Sequence, residues 1–570
     1  MSRPETHDNP AAESEKSEPR ALPEQSSAPE RTFRREDFPF SRSATIGLAL
    51  VLALAAALRF YRLDFDLPEV QYVDGFKFVG QAKRMAESGD MRPTDFQYPG
   101  LYVYTLAVLF RVLGVTSSYG QQLAAAAVAA FFGVAVVGAT ALAAWNIAGT
   151  RGLLVASALA ATSPTLVTQS RTPAPDTACA FFMTVAIALV ANRPVGLSKW
   201  IAGGAAVGLA ASAKWTGLLA APLVAVAAIA TAWREKSPLA LLRIASASAA
   251  AFLVAFLVTT PFFLPLRDQY VSILRFTMDV ERAGQIGRVQ DGPLDYFVSR
   301  TPTWGMPWLG TSLPSDLGWP AFLLSAAGVV GAVAGRFGFA GRLYAAGVAA
   351  YLFTSSGSGW IKAIRFLLPI LPLLWAVSGA FVERAVPTGL RRRRLVWVAI
   401  LAAVCAAPAY RSLTYVVAHR QPSTNALVRD WMRTNVPAGS VVLLGPFFTD
   451  DLYQLPFRFK WLKDVGRRQY NLPPDKGLSP ERTPIYAPSL IDAFRRAGVQ
   501  YVVLNSYFDG ALSRIPENER FFPRSVASYE AFLTRLRAEA ELVHTSTGWQ
   551  NRRLGPDIDV WRLRETVPAG

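Results

Sequence analysis

The chain has 570 residues, 52% of them hydrophobic and 17% charged, with a mean hydropathy of +0.25, a balance that leaves more apolar surface than a soluble protein covers. Its net charge of +17 lies mostly in short clusters between apolar runs, such as Arg391, Arg392, Arg393 and Arg394, which is the pattern of topology signals and not of a nucleic-acid-binding face. Cys179 and Cys405 both fall inside apolar runs, so a disulfide framework is excluded.

Residues 1–38 are rich in Glu, Ser, Pro and Arg and poor in aromatic and branched residues, which predicts a disordered tail. The first apolar run, 44–60, follows Arg34, Arg35 and Arg42 and continues into Arg59 and Tyr61 without a small-residue cleavage site. It reads as an uncleaved anchor. Further spans are expected at 121–145, 152–168, 177–192, 199–213, 215–233, 240–260, 317–335, 341–357, 364–382 and 395–410, about eleven in all. The aromatic stretch 100–113 is too short to span and is expected to lie at the interface.

With the amino terminus in the cytoplasm, the loops carrying Arg151, Arg193 with Lys199, Arg234 with Lys236 and Arg243, Arg336 with Arg342, and Arg384 with Arg391 to Arg394 all fall inside. The opposite, extracytoplasmic side then holds the loop 59–120, the turn at Asp176, the turn at Lys214, the segment 261–316 and everything after 410. The region 411–570 alternates helical and strand-like pieces: Asn425 to Thr434 before VVLL at 441, Leu490 to Ala497 before YVVLN at 501, and Tyr529 to Ala540 before VWRL at 560. These predict a small external α/β domain. It shows no Gly-rich phosphate loop, metal-spaced His or Cys cluster or nucleophile elbow.

Chemistry is expected at the external rim. Asp74 stands before a helix-like segment, where a carboxylate partly shielded from water can take a proton from an attacking hydroxyl; the structural alternative is a helix N-cap. Asp176 follows the stiff Pro173-Ala174-Pro175 step after Arg171, and its alternative role is to complement a helix dipole. Lys214 lies between two apolar runs, and Lys362 and Arg365 share its face; an anionic ligand or snorkelling to headgroups would satisfy them. Two carboxylates with Arg171, Lys214, Lys362 and Arg365 suit a sugar carried on a lipid phosphate, the cations neutralising the leaving phosphate and a carboxylate activating the acceptor. Asp279, Glu281, Asp291 and Asp295 form an acidic loop that reads as solvated.

The residues that carry these groups resemble those of glycosyltransferase family 39, the polyprenyl-phosphate-sugar transferases that include protein O-mannosyltransferases and lipid A aminoarabinose transferases. The resemblance rests on Arg59, YVDG, KRMAESGD leading to YPGLYVY, Thr162-Ser163-Pro164, Arg171 with Asp176, GLAASAKWTG and RFLLPILP, over residues 44–382, with WMRTNVPAG, AGVQYVVLNS and GPDIDVWRL in the tail. It implies a GT-C membrane fold with eleven or so transmembrane helices, a polyprenyl-phosphate donor, inverting transfer with Asp74 as base and Asp176 as second acid, and a place in the cytoplasmic (inner) membrane. Many members carry Asp-Glu in the first loop, whereas here Gly75 follows Asp74, a departure that does not support a divalent metal.

Two other functions compete. A transporter or flippase would place charges near mid-span and show repeated halves, and here the charges sit at one face and no repeat is found. A non-catalytic relative that binds a lipid-linked glycan is the other, prompted by Gly75.

Overall fold

A computed structural model describes residues 42–67, 73–191, 195–283, 295–298, 312–357, 364–386, 393–445, 455–461, 486–506, 519, 522–548 and 552–564. The tail 1–38, Lys362 and the cluster at 391–392 lie outside these residues, as do the side chains of Asp74, Glu281, Asp291 and Asp295.

The amino-terminal four hundred or so residues form a helical bundle: α1 (Arg42–Phe60), α2 (Val73–Ser88), α3 (Leu101–Val112), α4 (Ser118–Trp145), α5 (Thr150–Thr162), α6 (Pro164–Gln169), α7 (Asp176–Ala191), α8 (Leu197–Ala213), α9 (Ala221–Glu235), α10 (Pro238–Thr259), α11 (Arg267–Ala283), α12 (Asp295–Val298), α13 (Leu313–Leu317), α14 (Trp319–Val333), α15 (Gly338–Gly357), α16 (Leu371–Ala385) and α17 (Arg393–Ala418). Every expected apolar run is helical. Among the described residues, five segments are both long and apolar enough to cross a bilayer by themselves: Arg42–Phe60, Ser118–Trp145, Trp215–Glu235, Pro238–Thr259 and Leu395–Ala418. The expected interfacial stretch is the twelve-residue α3.

Three of the expected spans are interrupted, each for a local reason. The run at 152–168 is two helices, because Ser163 is extended and caps α6 while Pro164 has no N–H to continue α5. The runs at 215–233 and 364–382 open with 3₁₀ turns, Trp215–Ala220 and Ile364–Leu367, before α9 and α16 begin at Ala221 and Leu371 with a proline in the first turn of each. In contrast α17 continues eight residues past the expected end at 410, carrying Pro408 within it.

Small residues set the closest helix approaches. Gly152 of α5 and Gly379 of α16 face each other so closely that a Cβ on either would collide with the other's main chain. Both ends of α5 are held from other helices. Glu383 accepts from the Gly152 N–H at 2.7 Å at the amino end, and Arg59 donates at the carboxyl end to Ala160 O and Ala161 O, each at 3.2 Å. Opposite charges thus complement the two ends of the helix dipole. The neighbouring Arg384 reaches Ile147 O at 2.8 Å, so the tight α4–α5 turn is closed by two adjacent side chains of α16.

The carboxy-terminal domain is a five-stranded sheet ordered β2-β1-β3-β5-β4, with β1 (Val441–Leu444), β2 (Arg458–Trp461), β3 (Tyr501–Asn505), β4 (Ala540–Ser546) and β5 (Ile558–Leu563). Strand β1 runs parallel to β2 and β3, and β5 is antiparallel to β3 and β4. Alternation along β1 explains the two layers around it. Val441 and Leu443 pack with α19 (Leu490–Arg496) and α20 (Pro523–Glu539), while Val442 and Leu444 pack with α18 (Thr424–Asn435). The strands at 441, 501 and 560 and all three helices fall where the sequence placed them; β2 and β4 were not foreseen. The domain meets the bundle where Leu554 packs with Ala418, Tyr415 and Phe65.

Candidate active site

One end of the bundle gathers the side chains singled out in the sequence. Asp176 is the first residue of α7, and Lys214 follows the last residue of α8 in an extended conformation (φ −155°, ψ 139°). Because α7 and α8 pack side by side and antiparallel, these two ends coincide, and Lys214 Nζ donates to Asp176 Oδ1 at 2.7 Å. The side chains are only 16% and 8% exposed, so two opposite charges compensate each other in a site nearly free of water. Lys214, expected to seek an anionic ligand, has a carboxylate as its partner here. Its ammonium also sits 5.5 Å from the Phe366 ring and 6.0 Å from the Tyr98 ring.

Arg171 is held differently. Its Nη1 donates to Leu58 O, Arg59 O and Tyr61 O at 3.3, 3.0 and 2.7 Å, and Nη2 donates to Arg62 O at 3.0 Å. The guanidinium therefore closes the carboxyl end of α1, whose last carbonyls lack intrahelical partners. Burial is the larger influence and draws its pKa below the ordinary arginine value. Arg59, fully buried, repeats the device one helix further in: Pro164 cannot donate to Ala160 O, and Arg59 supplies the missing hydrogen bond. Arg59 Nε also donates to Ser170 Oγ at 3.2 Å, and Ser412 of α17 donates to Thr162 O at 2.7 Å. Arg171, Arg59 and Ser412 thus fix the segment that carries Asp176.

The first loop is tied to the same place. The Leu101 N–H donates to Ser212 Oγ at 3.1 Å and the Gly100 N–H to Thr260 Oγ1 at 3.3 Å, while Ser212 and Thr260 hydroxyls lie 2.7 Å apart. A side chain at Gly100 would meet Thr259 O and the Tyr104 ring, so glycine is required for this approach. Helix α2 lays Phe78, Val79, Ala82 and Met85 against Tyr102, Val103, Leu106, Ala107 and Phe110 of α3. Asp74 is the second residue of α2, inside the first turn and not ahead of it. Arg365, in the 3₁₀ turn before α16, lies 5.6 Å from the ring of Phe366, the residue that also faces Lys214. Of the proposed site, then, Asp176, Lys214, Arg365 and the loop bearing Asp74 converge, and Arg171 supports them from the protein side.

Sequence reasoning missed the pairing of Asp176 with Lys214, although a lysine between two apolar runs and an aspartate opening a third were the signal for it. It also missed Tyr98 and Phe366, which carry no periodic signature, and the capping role of Arg59. Among the described residues no group of three or more His, Cys, Asp or Glu side chains stands at metal-binding spacing.

The family model for dolichyl-phosphate-mannose-protein mannosyltransferase matches residues 49–277, the segment that holds Asp74, Arg171, Asp176 and Lys214. Among solved structures, ArnT from Cupriavidus metallidurans in the apo state is 14% identical with a TM-score of 0.53, covering 91% of this chain and 98% of that one. The same protein bound to undecaprenyl phosphate is 15% identical with a TM-score of 0.52 over the same shares. The oligosaccharyltransferase from Archaeoglobus fulgidus in complex with Zn and sulfate is 13% identical with a TM-score of 0.52, covering 85% of this chain and 70% of that one. No curated protein sequence matches the chain significantly.

Proposed function

We infer from the family match over residues 49–277, and from the fold shared with ArnT over nearly its whole length, that this chain is a polyprenyl-phosphate-sugar transferase of the GT-C fold. From that premise we propose that this protein is a multi-pass membrane glycosyltransferase of the cytoplasmic membrane that moves one sugar, with inversion, from a polyprenyl-phosphate-linked donor to an acceptor (a protein, a lipid or a cell-envelope glycan) at the outer face. The observation that carries the reading is the Asp176–Lys214 pair, water-excluded, at the bundle end to which the Asp74 loop is pinned. It is supported by the charge partition, since Arg151 and Arg384 lie at the other end of α5, by the α4–α5 turn.

In this reading the donor phosphate lies against Lys214, Lys362 and Arg365, and Asp74 faces the acceptor hydroxyl. The acceptor oxygen attacks C1 as its proton passes to the Asp74 carboxylate. The bond from C1 to the phosphate oxygen breaks, and polyprenyl phosphate leaves as an anion that needs no proton. Asp176 holds Lys214 charged and in place until the phosphate arrives, and Arg171 positions the turn between α6 and α7. The carboxy-terminal domain stands outside the membrane beside the bundle end where acceptor enters.

Purified protein given a polyprenyl-phosphate sugar and a cell-envelope extract is expected to release free polyprenyl phosphate. Asp74→Asn is expected to abolish release while the protein stays folded in the membrane. Full activity in that variant removes Asp74 as the base, and no release from the native protein with any donor turns the reading into that of a binding protein.

A further inference from the structure

We infer that a recess between the first loop and the α10–α11 corner binds a neutral sugar ring of the acceptor, beside the Asp176–Lys214 pair. The recess is shallow and open to solvent, about 430 Å³ in volume, with Pro265, Asp268, Gln269 and Ser272 exposed, and its lining is of two kinds. Phe96, Pro265, Leu266 and Ile273 are apolar; Asp268, Gln269 and Ser272 offer a carboxylate, an amide and a hydroxyl. The three polar residues lie within five positions of α11, spaced so that their side chains share one flank of the helix. A pyranose has the same division, with C–H groups over its ring faces and hydroxyls around its edge, and it fits a site of modest size with an apolar wall and a few convergent polar groups.

Its position ties the recess to the reaction. Phe96 lines it, and Tyr98, two residues along the same loop, faces Lys214 at 6.0 Å. On the other wall Tyr270 stands with its ring 5.0 Å from Phe96 and 6.1 Å from Trp215, the residue after Lys214. Aromatic rings therefore connect the recess to the residues that flank Lys214. Charge assigns the occupant: among the described residues the lining includes Asp268 and no lysine or arginine, which disfavours a phosphate, whereas the donor-side groups are cations. The neighbouring Arg267 is turned to Asp268 at 3.5 Å, both groups largely in solvent. A neutral polyol is what remains.

The word acceptor rests on the glycosyltransferase reading; sugar binding at this place does not, and the experiment keeps them apart. Full-length protein in lipid nanodiscs is titrated with methyl α-D-mannopyranoside and methyl α-D-glucopyranoside by saturation-transfer NMR, and separately with undecaprenyl phosphate by tryptophan fluorescence. At least one glycoside is expected to bind saturably. Gln269→Ala and Ser272→Ala, both exposed and harmless to folding, are expected to weaken it by about tenfold, roughly one hydrogen bond's worth. Ser272→Trp is expected to fill the recess and abolish binding while undecaprenyl phosphate binds all variants alike. Glycoside binding that is absent, or unchanged in the three variants, overturns the inference, as does an unglycosylated peptide that binds where Ser272→Trp blocks and no glycoside does. Failure of the native protein to bind undecaprenyl phosphate counts against the transferase reading and leaves the glycoside result to stand by itself.

Discussion

The two ends of α5 are built from the same material and arranged for different ends. At its amino end Glu383 and Arg384 each meet main-chain groups of the α4–α5 turn, and the turn is closed. At its carboxyl end Arg59 and Arg171 meet main-chain carbonyls in the same way, but Asp176, Lys214 and Arg365 stand beyond them with partners that are side chains and rings. Carbonyls are fixed features of a folded helix, whereas a carboxylate 2.7 Å from an ammonium can be exchanged for a phosphate of like charge. On the proposed function, this difference separates an end built as architecture from an end where a ligand would enter.

The largest effect is expected at the pair. Lys214→Met leaves Asp176 buried without its cation, and a loss of about 3–5 kcal/mol in stability is expected, read from thermal unfolding in detergent. Asp176→Asn with Lys214→Met together restores most of that stability, because no charge is left unpaired, yet donor binding and turnover stay lost. Recovery of activity in the double variant would mean that the pair is architecture too, and the contrast between the ends would fail.

Next comes Arg59→Ala, which strips the Ala160 and Ala161 carbonyls of their donors; a loss of about 2–4 kcal/mol is expected, from two hydrogen bonds to a charged group. At the opposite end, Glu383→Gln keeps a weaker acceptor for the Gly152 N–H and is expected to cost about 1 kcal/mol, with turnover per folded molecule unchanged. A Glu383 variant that lost turnover at full stability would break the comparison from the other side.

A further effect concerns pH. His419 lies buried between the rings of Phe65 and Tyr415, and burial, joined by the nearby Arg171 charge, pushes its pKa from 6.5 down to about 3. The unfolded chain therefore binds a proton between these values that the folded one does not, so stability rises with pH across that window. Falling pH is expected to destabilise the native protein more steeply than His419→Phe, as read from unfolding midpoints at pH 7 and pH 5. Equal slopes would show that His419 is not the group concerned.

How much of this was legible follows from which interactions are local. The apolar runs reported their helices closely, and 441–444 and 501–505 read as strands because four branched residues in succession in the first, and three after Tyr501 in the second, with cover on both faces, allow little else. Strand β4 was hidden: in AELVHTS the apolar residues are few, and a bulge between Leu542 and His544 breaks the alternation that would have shown it. The candidate acids and bases were identifiable one at a time as charges at the edges of apolar runs. Their pairing was not, since it joins residues 38 positions apart through the packing of α7 on α8. Arg171 illustrates the limit from the other direction: its type and place suited a phosphate, and only the fold shows that the end of α1 occupies it.

Arg59 also bears on how the molecule is made. Its contacts with Ala160, Ala161 and Ser170 reach 101, 102 and 111 residues ahead in the chain, and the Ser412 hydroxyl that completes the same junction comes 250 residues after Thr162. During synthesis α1 therefore enters the bilayer with a guanidinium whose acceptor on the same helix is Ala55 O. The order of translation leaves the Arg59 guanidinium without its acceptors on α5 until the third apolar run has been made.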